Sequence, residues 1–350
     1  MTTLALLHHL GFALVLALLS ALTVRLMIAV QLIDEPNHRK SHAVPTPKGG
    51  GVGIVVAFLT GIVVLYCVAS FSRIANQYFL GVIAASAGIA LVALLDDICD
   101  WPFTIKLGAQ LLAALAAVGT GVYVQNYRLP YIGPLYLGWI GGPATLVWIL
   151  FVTNAVNFID GLDGLAGGVS FIAACFMAGI AAFHGSWFAY FAALLLAAGV
   201  AGFLPFNFPR ARIFMGDVGS QFCGFVLAML GVVAGRFDGV ELSLLLVPML
   251  LSGALFDVAF TLARRILAGE NLATAHRGHL YQVAHRSGMP SPAVAAVHWS
   301  FAVIGGGCCV LFLAVPPVGK PFVPLITVVP QLFWLGYVRA RAKAAGITRW

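Results

Sequence analysis

The sequence predicts an all-α polytopic membrane protein of about 11 transmembrane helices, and three observations carry that expectation. Hydrophobic residues are 61% of the 350, charged ones only 9%, and the mean hydropathy is +1.00. No ordinary water-soluble domain has that balance. Apolar stretches of roughly 18–25 residues recur along the whole chain, each long enough to cross a bilayer as a helix. Finally, the 19 Lys and Arg residues are divided very unequally between alternate connections.

The predicted spans are 4–25, 51–70, 78–96, 104–123, 139–157, 165–184, 187–206, 218–235, 242–263, 292–315 and 321–338. The first run, Leu4 to Val24, has no basic residue before it. It therefore reads as a spanning helix and not as a cleaved leader. His184-Gly185-Ser186 is the tightest joint and suits an antiparallel pair. No separate soluble domain or low-complexity linker interrupts the series. The whole of 1–350 thus reads as one integral membrane domain, with a site built from connections 26–50, 96–106, 157–165, 206–218 and 264–291.

The odd-numbered connections and the C-terminal tail hold 15 of the Lys and Arg residues, against Arg73, Arg128, Arg236 and Lys320 on the other side. That excess places the first side in the cytoplasm, with the N-terminus outside and the C-terminus inside, as an odd number of crossings requires. Nine of the 12 acids fall on the same side. The net charge of +7 suits a face turned toward anionic membrane lipid or anionic substrates. Nucleic acid is excluded, because no soluble basic domain exists to hold it. The six cysteines, 67, 99, 175, 223, 308 and 309, have no metal-binding spacing and read as small buried residues. His8, His9, His184 and His298 read as packing or interface residues.

Acids gather at the ends of apolar runs. Asp96-Asp97 closes the third span; if the helix continues, Asp100 shares their face. Carboxylates so close repel one another unless a cation or proton intervenes. In Asn154-Ala-Val-Asn157-Phe-Ile-Asp160-Gly-Leu-Asp163-Gly164 a polar residue recurs at every third position. On a helix they would form a stripe of oxygen acceptors for a hard cation or for sugar and base donors. Asp217, in Phe214-Met-Gly-Asp217-Val-Gly-Ser220, follows Arg210 and Arg212. An acid for metal thus stands near two guanidinium groups for phosphate, and Asp217 also reads as the N-cap of the helix from Val218.

The connection 264–291 contains His276-Arg277-Gly278-His279, which offers two imidazoles and a guanidinium to an anion. A zinc pair has the same spacing, but no third ligand of the usual kind stands near it. Asn37-His38-Arg39-Lys40-Ser41-His42 precedes Pro45-Thr-Pro-Lys48-Gly-Gly-Gly51, whose backbone N–H groups suit a phosphate at a helix start. Asp257 is the one acid well inside an apolar run, and reads either as functional or as a partner of Arg264 or Arg265.

Taken together, Asp96-Asp97, Asn154-Ala-Val-Asn157 with Asp160-Gly-Leu-Asp163-Gly, Phe214-Met-Gly-Asp217-Val-Gly-Ser220 and His276-Arg277-Gly-His279 resemble the polyprenyl-phosphate N-acetylhexosamine-1-phosphate transferase superfamily, glycosyltransferase family 4. The four motifs stand in the family's order over roughly residues 33–285. The resemblance implies transfer of an N-acetylhexosamine-1-phosphate from a UDP-N-acetylhexosamine to undecaprenyl phosphate, releasing UMP, at the cytoplasmic face of a bacterial inner membrane. It implies Mg²⁺ as cofactor, with Mn²⁺ as an alternative, held by Asp217 and Asn157. Asp96 and Asp97 would activate the lipid phosphate or organise metal. Phe214 would stack on uracil and Asp163 would contact uridine. His276, Arg277 and His279 would meet the pyrophosphate, with Asn154, Asp160, Arg210, Arg212 and Lys48 as further substrate contacts. His-Arg-Gly-His replaces the run of adjacent histidines in the peptidoglycan branch. With Ser41-His42 and His279-Leu-Tyr-Gln282, it looks most like the branch that starts O-antigen, the polysaccharide part of lipopolysaccharide. The alternative of a different class is a secondary transporter or lipid flippase, which would place coupling residues near the bilayer midplane.

Overall fold

The computed structural model describes residues 2–34, 45–69, 76–129, 133–235, 242–272, 274, 276–347 and 350. Nine helices among the described residues are long and apolar enough to cross a membrane. They are α1 (Thr3–Val30), α2 (Gly51–Val68), α3 (Asn76–Cys99), α5 (Gly141–Phe158), α6 (Leu165–His184), α7 (Trp187–Asn207), α8 (Gly216–Ala234), α12 (Ser291–Ala314) and α13 (Val323–Ala344). The chain is thus an all-α, multi-pass membrane protein. Two predicted spans differ from expectation. The fourth is α4 (Phe103–Gly119), apolar but only 17 residues long. The ninth is divided into α9 (Leu246–Leu250) and α10 (Ser252–Leu267), with α11 (Leu280–Arg286) following. The division lies where α9 presses on α12: the Cys309 thiol donates to the Leu246 carbonyl, and a Cβ on Gly305 would collide with the Met249 carbonyl.

Two short antiparallel ladders supplement the helices, β1 (Ile33–Asp34) with β2 (Thr46–Pro47) and β3 (Asn126–Leu129) with β4 (Gly133–Tyr136). The basic stretch Asn37–His42 and Arg73, Arg236 and Arg349 lie outside the described residues.

Helix α8 is the axis of the molecule. Every residue from Val218 to Ala234 is buried, surrounded by α2, α3, α5 and α7. Helix α1 is the opposite case, with Leu4, Leu7, Leu14, Leu18 and Leu22 all outward, as a lipid-facing helix requires. Within a bilayer, lipid is as apolar as leucine, so close backbone approach holds helices together. At the α1–α2–α7 crossing, the Ser20 hydroxyl donates to the Gly199 carbonyl at 2.7 Å, and a Cβ on Gly53 would come 2.7 Å from the Ser20 carbonyl. The cysteines divide evenly: Cys223, Cys308 and Cys309 are buried as expected, whereas Cys67, Cys99 and Cys175 are exposed on outward helix faces. Among the histidines, His9 meets the Tyr190 hydroxyl at 3.1 Å, and His298 is enclosed by Tyr281, Phe301 and Trp334. The C-terminal ends of α3 and α5 meet the N-terminal ends of α2, α4 and α8, and the polar motifs converge there.

Candidate active site

Asp96 and Asp97 occupy the last turn of α3 and point to different tasks. Asp97 accepts hydrogen bonds from the backbone N–H groups of Asp217 at 3.1 Å and Val218 at 3.0 Å, one to each carboxylate oxygen. It thereby satisfies N–H groups that have no partner within α8. The expected cap, Asp217, lies inside the first turn instead, because the cap comes from another helix. Gly216 makes this possible. Its φ is +75°, and a Cβ there would sit 2.6 Å from the Asp97 carboxylate. Asp100 does not join the pair: its φ of +50° takes the chain out of the helix and leaves the side chain exposed.

Asp96 accepts from the Trp101 N–H at 2.9 Å through one oxygen, while its other oxygen lies 2.7 Å from the Lys106 ammonium. That second oxygen is buried without a directed hydrogen bond, so the contact is electrostatic. The same ammonium is 3.2 Å from Asp217 Oδ2. Asn157 donates its amide hydrogens to Asp217 Oδ1 at 3.0 Å and to the Ser220 hydroxyl at 2.8 Å. Lys48 adds a second positive charge, 3.9 Å from Asp97. Lysines thus balance the carboxylates. Arg212 lies over the Phe206 ring at 4.7 Å and donates to the Pro205 carbonyl, while Arg210 is exposed. The expectation that these arginines flank Asp217 is therefore replaced by Lys106.

The glycines after Lys48 also do something other than expected. Gly50 and Gly51 donate their N–H groups to the Phe214 and Met215 carbonyls at 2.9 and 2.8 Å, and Phe214 donates to the Pro47 carbonyl at 2.8 Å. A Cβ on Gly51 would collide with Gly219, so the glycine permits α2 to meet α8. These contacts hold half-buried Phe214 beside the site.

The stripe Asn154–Asn157–Asp160–Asp163 is divided, because α5 ends at Phe158. Asn154 joins a buried amide chain, donating to Gln110 at 2.6 Å, which in turn donates to Gln221 at 3.1 Å. That chain ties α5 to α4 and α8 beneath the carboxylates. Asp163 accepts from the Ala211 N–H at 3.1 Å, and Gly164 donates to Asn207, so this loop is bound to the connection after α7. Asp160 remains half-buried near the cluster. Burial first, then the negative charges of Asp217, Asp97 and Asp163, hold its carboxyl well above the usual range.

On the opposite rim, Asp257 accepts from the Leu280 and Tyr281 N–H groups at 2.9 and 3.0 Å and lies 3.1 Å from His279 Nδ1. Of its two sequence readings, functional or paired with Arg264 or Arg265, the pairing is not what the structure shows. Arg265 instead pairs with Glu270 at 2.9 Å, and Arg264 lies over the Trp350 ring. A carboxylate at Nδ1 fixes the ring and leaves Nε2 for other partners. Tyr281 donates its hydroxyl to the Phe158 carbonyl at 2.9 Å, joining this rim to the loop after α5. His276 stacks on His279 with centroids 5.0 Å apart, and its Nδ1 accepts from the Gly278 N–H. Burial, then His279, Arg265 and Arg264, lower it to about 4, so it is neutral at pH 7. Of the two imidazoles expected to meet an anion, His276 is thus uncharged. Arg277 is half-buried, with its carbonyl bound by Arg286.

Lys106, Gln110, Gln221 and Tyr281 were not predicted as site-building residues. Lys106 had a visible signal, a cation at the start of the helix after Asp96-Asp97, and Tyr281 stands in His279-Leu-Tyr-Gln282; the two glutamines had none. Among the described residues no three His, Cys, Asp or Glu side chains form a ready metal cluster. Asp96 Oδ2 and Asp217 Oδ2 nevertheless converge on one cation, the ammonium, with Asn157 adjacent. Those oxygen donors suit a hard divalent ion.

Comparison with known proteins adds to this geometry. The glycosyl transferase family 4 profile matches residues 79–235. A probable undecaprenyl-phosphate N-acetylglucosaminyl 1-phosphate transferase of Bacillus subtilis (strain 168) is 33% identical over 260 residues, 73% of this chain and 70% of that protein. An undecaprenyl-phosphate alpha-N-acetylglucosaminyl 1-phosphate transferase of Thermotoga maritima is 30% identical, covering 73% of this chain and 74% of that one. A phospho-N-acetylmuramoyl-pentapeptide-transferase of Lactobacillus johnsonii is 31% identical over 57% of this chain and 64% of its own.

Proposed function

We infer that this chain, which belongs to glycosyl transferase family 4 among the polyprenyl-phosphate N-acetylhexosamine-1-phosphate transferases, transfers an N-acetylhexosamine-1-phosphate to a polyprenyl phosphate. The donor is a UDP-N-acetylhexosamine and the acceptor undecaprenyl phosphate. An acceptor phosphate oxygen attacks the sugar-bearing β-phosphorus, the bond from that phosphorus to the bridging oxygen breaks, and UMP leaves. The reaction takes place at the cytoplasmic face of a bacterial inner membrane and starts a lipid-linked glycan of the O-antigen kind.

The observation that carries this reading is the convergence of Asp96, Asp217 and Asn157 with Lys106 and Lys48 at one end of an apolar bundle. Both reactants are anions, so positioning and charge neutralisation dominate the chemistry. The acceptor phosphate is largely ionised at pH 7, its second pKa being about 6, and needs no strong base. Mg²⁺, held by Asp217 with Asp96 and Asn157, would supply the remaining neutralisation of the pyrophosphate and of departing UMP. Asp97 positions the Asp217 turn through its two backbone contacts. Phe214 offers a face to uracil and Asp163 a contact to uridine. His279 and Arg277 meet the pyrophosphate from the opposite rim, Asp257 holding the His279 ring. A lipid acceptor also accounts for the site's place at a membrane face, since the nucleophile never leaves the bilayer.

The test is radiolabelled transfer in membranes across a panel of UDP-N-acetylhexosamines, with and without EDTA. Lipid-soluble label with equimolar UMP, lost in EDTA, is expected. Movement of a lipid or sugar across the membrane without UMP release would instead make the protein a transporter.

A further inference from the structure

In the absence of a divalent ion, the carboxylates at the end of α3 and the start of α8 still need a counter-charge. Their oxygens are almost all committed. Asp97 uses both on the N-terminus of α8, Asp96 uses Oδ1 on the Trp101 N–H, and Asp217 uses Oδ1 on Asn157. The remaining pair, Asp96 Oδ2 and Asp217 Oδ2, is the pair that the Lys106 ammonium touches, at 2.7 and 3.2 Å. The Asp96 side chain is only 2% exposed, and its Oδ2 has no directed hydrogen bond. Lys106 donates a hydrogen bond to Asp217 Oδ2 and is held against Asp96 Oδ2 by charge, and its side chain is 25% exposed, which leaves it a way out. Lys48 cannot take the same part, because it lies 3.9 Å from an Asp97 oxygen that α8 already occupies. A hard divalent ion bonds carboxylate oxygens at about 2.0–2.6 Å, so an ion seated between those two oxygens would stand where the ammonium stands.

We propose that Lys106 is a resident counter-ion, which occupies the cation position between Asp96 and Asp217 in the metal-free protein and yields it to the divalent metal. The proposal rests on the metal-dependent transfer inferred above and concerns how that site is kept assembled between turnovers. Two carboxylates brought together on separate helices repel when a metal departs. Lys106, one turn into α4, removes that repulsion without a second metal. It also opposes metal binding, since the ion must displace a charge that is already there.

The experiment uses the purified full-length protein in detergent, with Mn²⁺ as the probe. Binding is read from the electron paramagnetic resonance signal of free Mn²⁺, and stability from the thermal midpoint with Mn²⁺ or EDTA. Lys106→Met is expected to bind Mn²⁺ about tenfold more tightly than wild type, because a competing unit charge is gone. Its midpoint in EDTA falls below that of wild type, and Mn²⁺ restores it, so the metal-induced shift grows. Lys106→Arg keeps the charge and stays near wild type in EDTA. Should Lys106→Met not fold, wild type alone suffices: labelling of the Lys106 amine, followed by mass spectrometry, rises severalfold on adding Mn²⁺. Unchanged Mn²⁺ affinity in Lys106→Met, or labelling that Mn²⁺ does not alter, overturns the counter-ion role while leaving metal-dependent transfer intact. A wild-type protein that binds no Mn²⁺ removes the metal from the proposed function, and this inference with it.

Discussion

The two rims of the site are built by the same device and differ in what it presents. At one rim Asp97, on α3, caps the N-terminus of α8 and so fixes Asp217. At the other, Asp257, on α10, caps the N-terminus of α11 and so fixes His279. In each case a buried carboxylate from one helix takes two N–H groups of another, where the helix dipole favours negative charge. The first rim is anionic and its charge is balanced by lysines; the second is rich in rings, with His276, His279 and Tyr281 in a stacked series. The comparison teaches that a conspicuous acid can be a structural cap, and that an apparently stray one can be the same thing. In the sequence Asp97 reads as half of a pair that activates phosphate or organises metal, and Asp257 as functional or as a partner of Arg264 or Arg265.

The largest effect should come from the group that the first cap presents. Asp217→Asn is expected to lower transfer by about a thousandfold or more while the protein stays folded and inserted. Near-normal turnover in saturating Mg²⁺ would remove Asp217 from the chemistry. Next, the two rims should respond alike to loss of their caps. Asp97→Asn and Asp257→Asn each replace a carboxylate oxygen with an amide that cannot accept from the facing N–H. Each lost acceptor costs about 1–3 kcal/mol, so both melting temperatures should fall together with activity. Asp96→Asn keeps the helix cap intact and should reduce turnover and metal affinity with little change in melting. If Asp96→Asn melts as early as Asp97→Asn, the division of labour within the pair is wrong.

Smaller effects separate the rims. Arg277→Lys keeps the charge but loses the fork that grips two phosphate oxygens, so the steady-state rate should drop substantially. Equal activity of the Lys variant across UDP-sugar concentrations would assign Arg277 to lipid headgroups. Phe214→Ala should raise the UMP inhibition constant by the worth of one base–ring stack, about 1–3 kcal/mol, with less effect on the lipid acceptor. The smallest effect concerns His276. Its folded value of about 4 lies below the ordinary 6.5, so the unfolded chain binds more protons between those values. Its contribution therefore leaves stability unchanged above about 6.5 and lowers it as pH falls toward 4. The groups facing it are His279, Arg264, Arg265 and Glu270. His276→Gln should flatten part of that acid loss, measured as melting temperature against pH, and leave the profile above pH 7 unaltered.

The fold was largely legible because a bilayer imposes long apolar runs, and nine of the eleven expected spans are long helices. The ninth escaped because its hydropathy is continuous through Leu250 and Ser252; the division lies where α9 meets α12, a contact between residues distant in sequence. The residues of the first rim were legible as a set, since Asp96 and Asp97 are adjacent and Asp217 stands in a short polar motif. Their separate duties were not. Which carboxylate caps α8 depends on Gly216 and on the meeting of α3 with α8, contacts between residues about 120 positions apart. Asp257 and His279 are 22 residues apart, and only the fold of the connection brings them together. The glycines at 50 and 51 illustrate the same limit: their pattern suits a phosphate loop, yet their N–H groups belong to Phe214 and Met215.

On the proposed function, the phosphoryl transfer takes place at the Asp217 rim. It is tested most directly with UDP-N-acetylhexosamine labelled at the β-phosphorus, incubated with undecaprenyl phosphate and either wild type or Asp217→Asn. The label should appear in a lipid pyrophosphate with one unlabelled UMP released per lipid, and the variant should produce neither. Label retained in released UDP, or lipid labelling that survives Asp217→Asn, would contradict it.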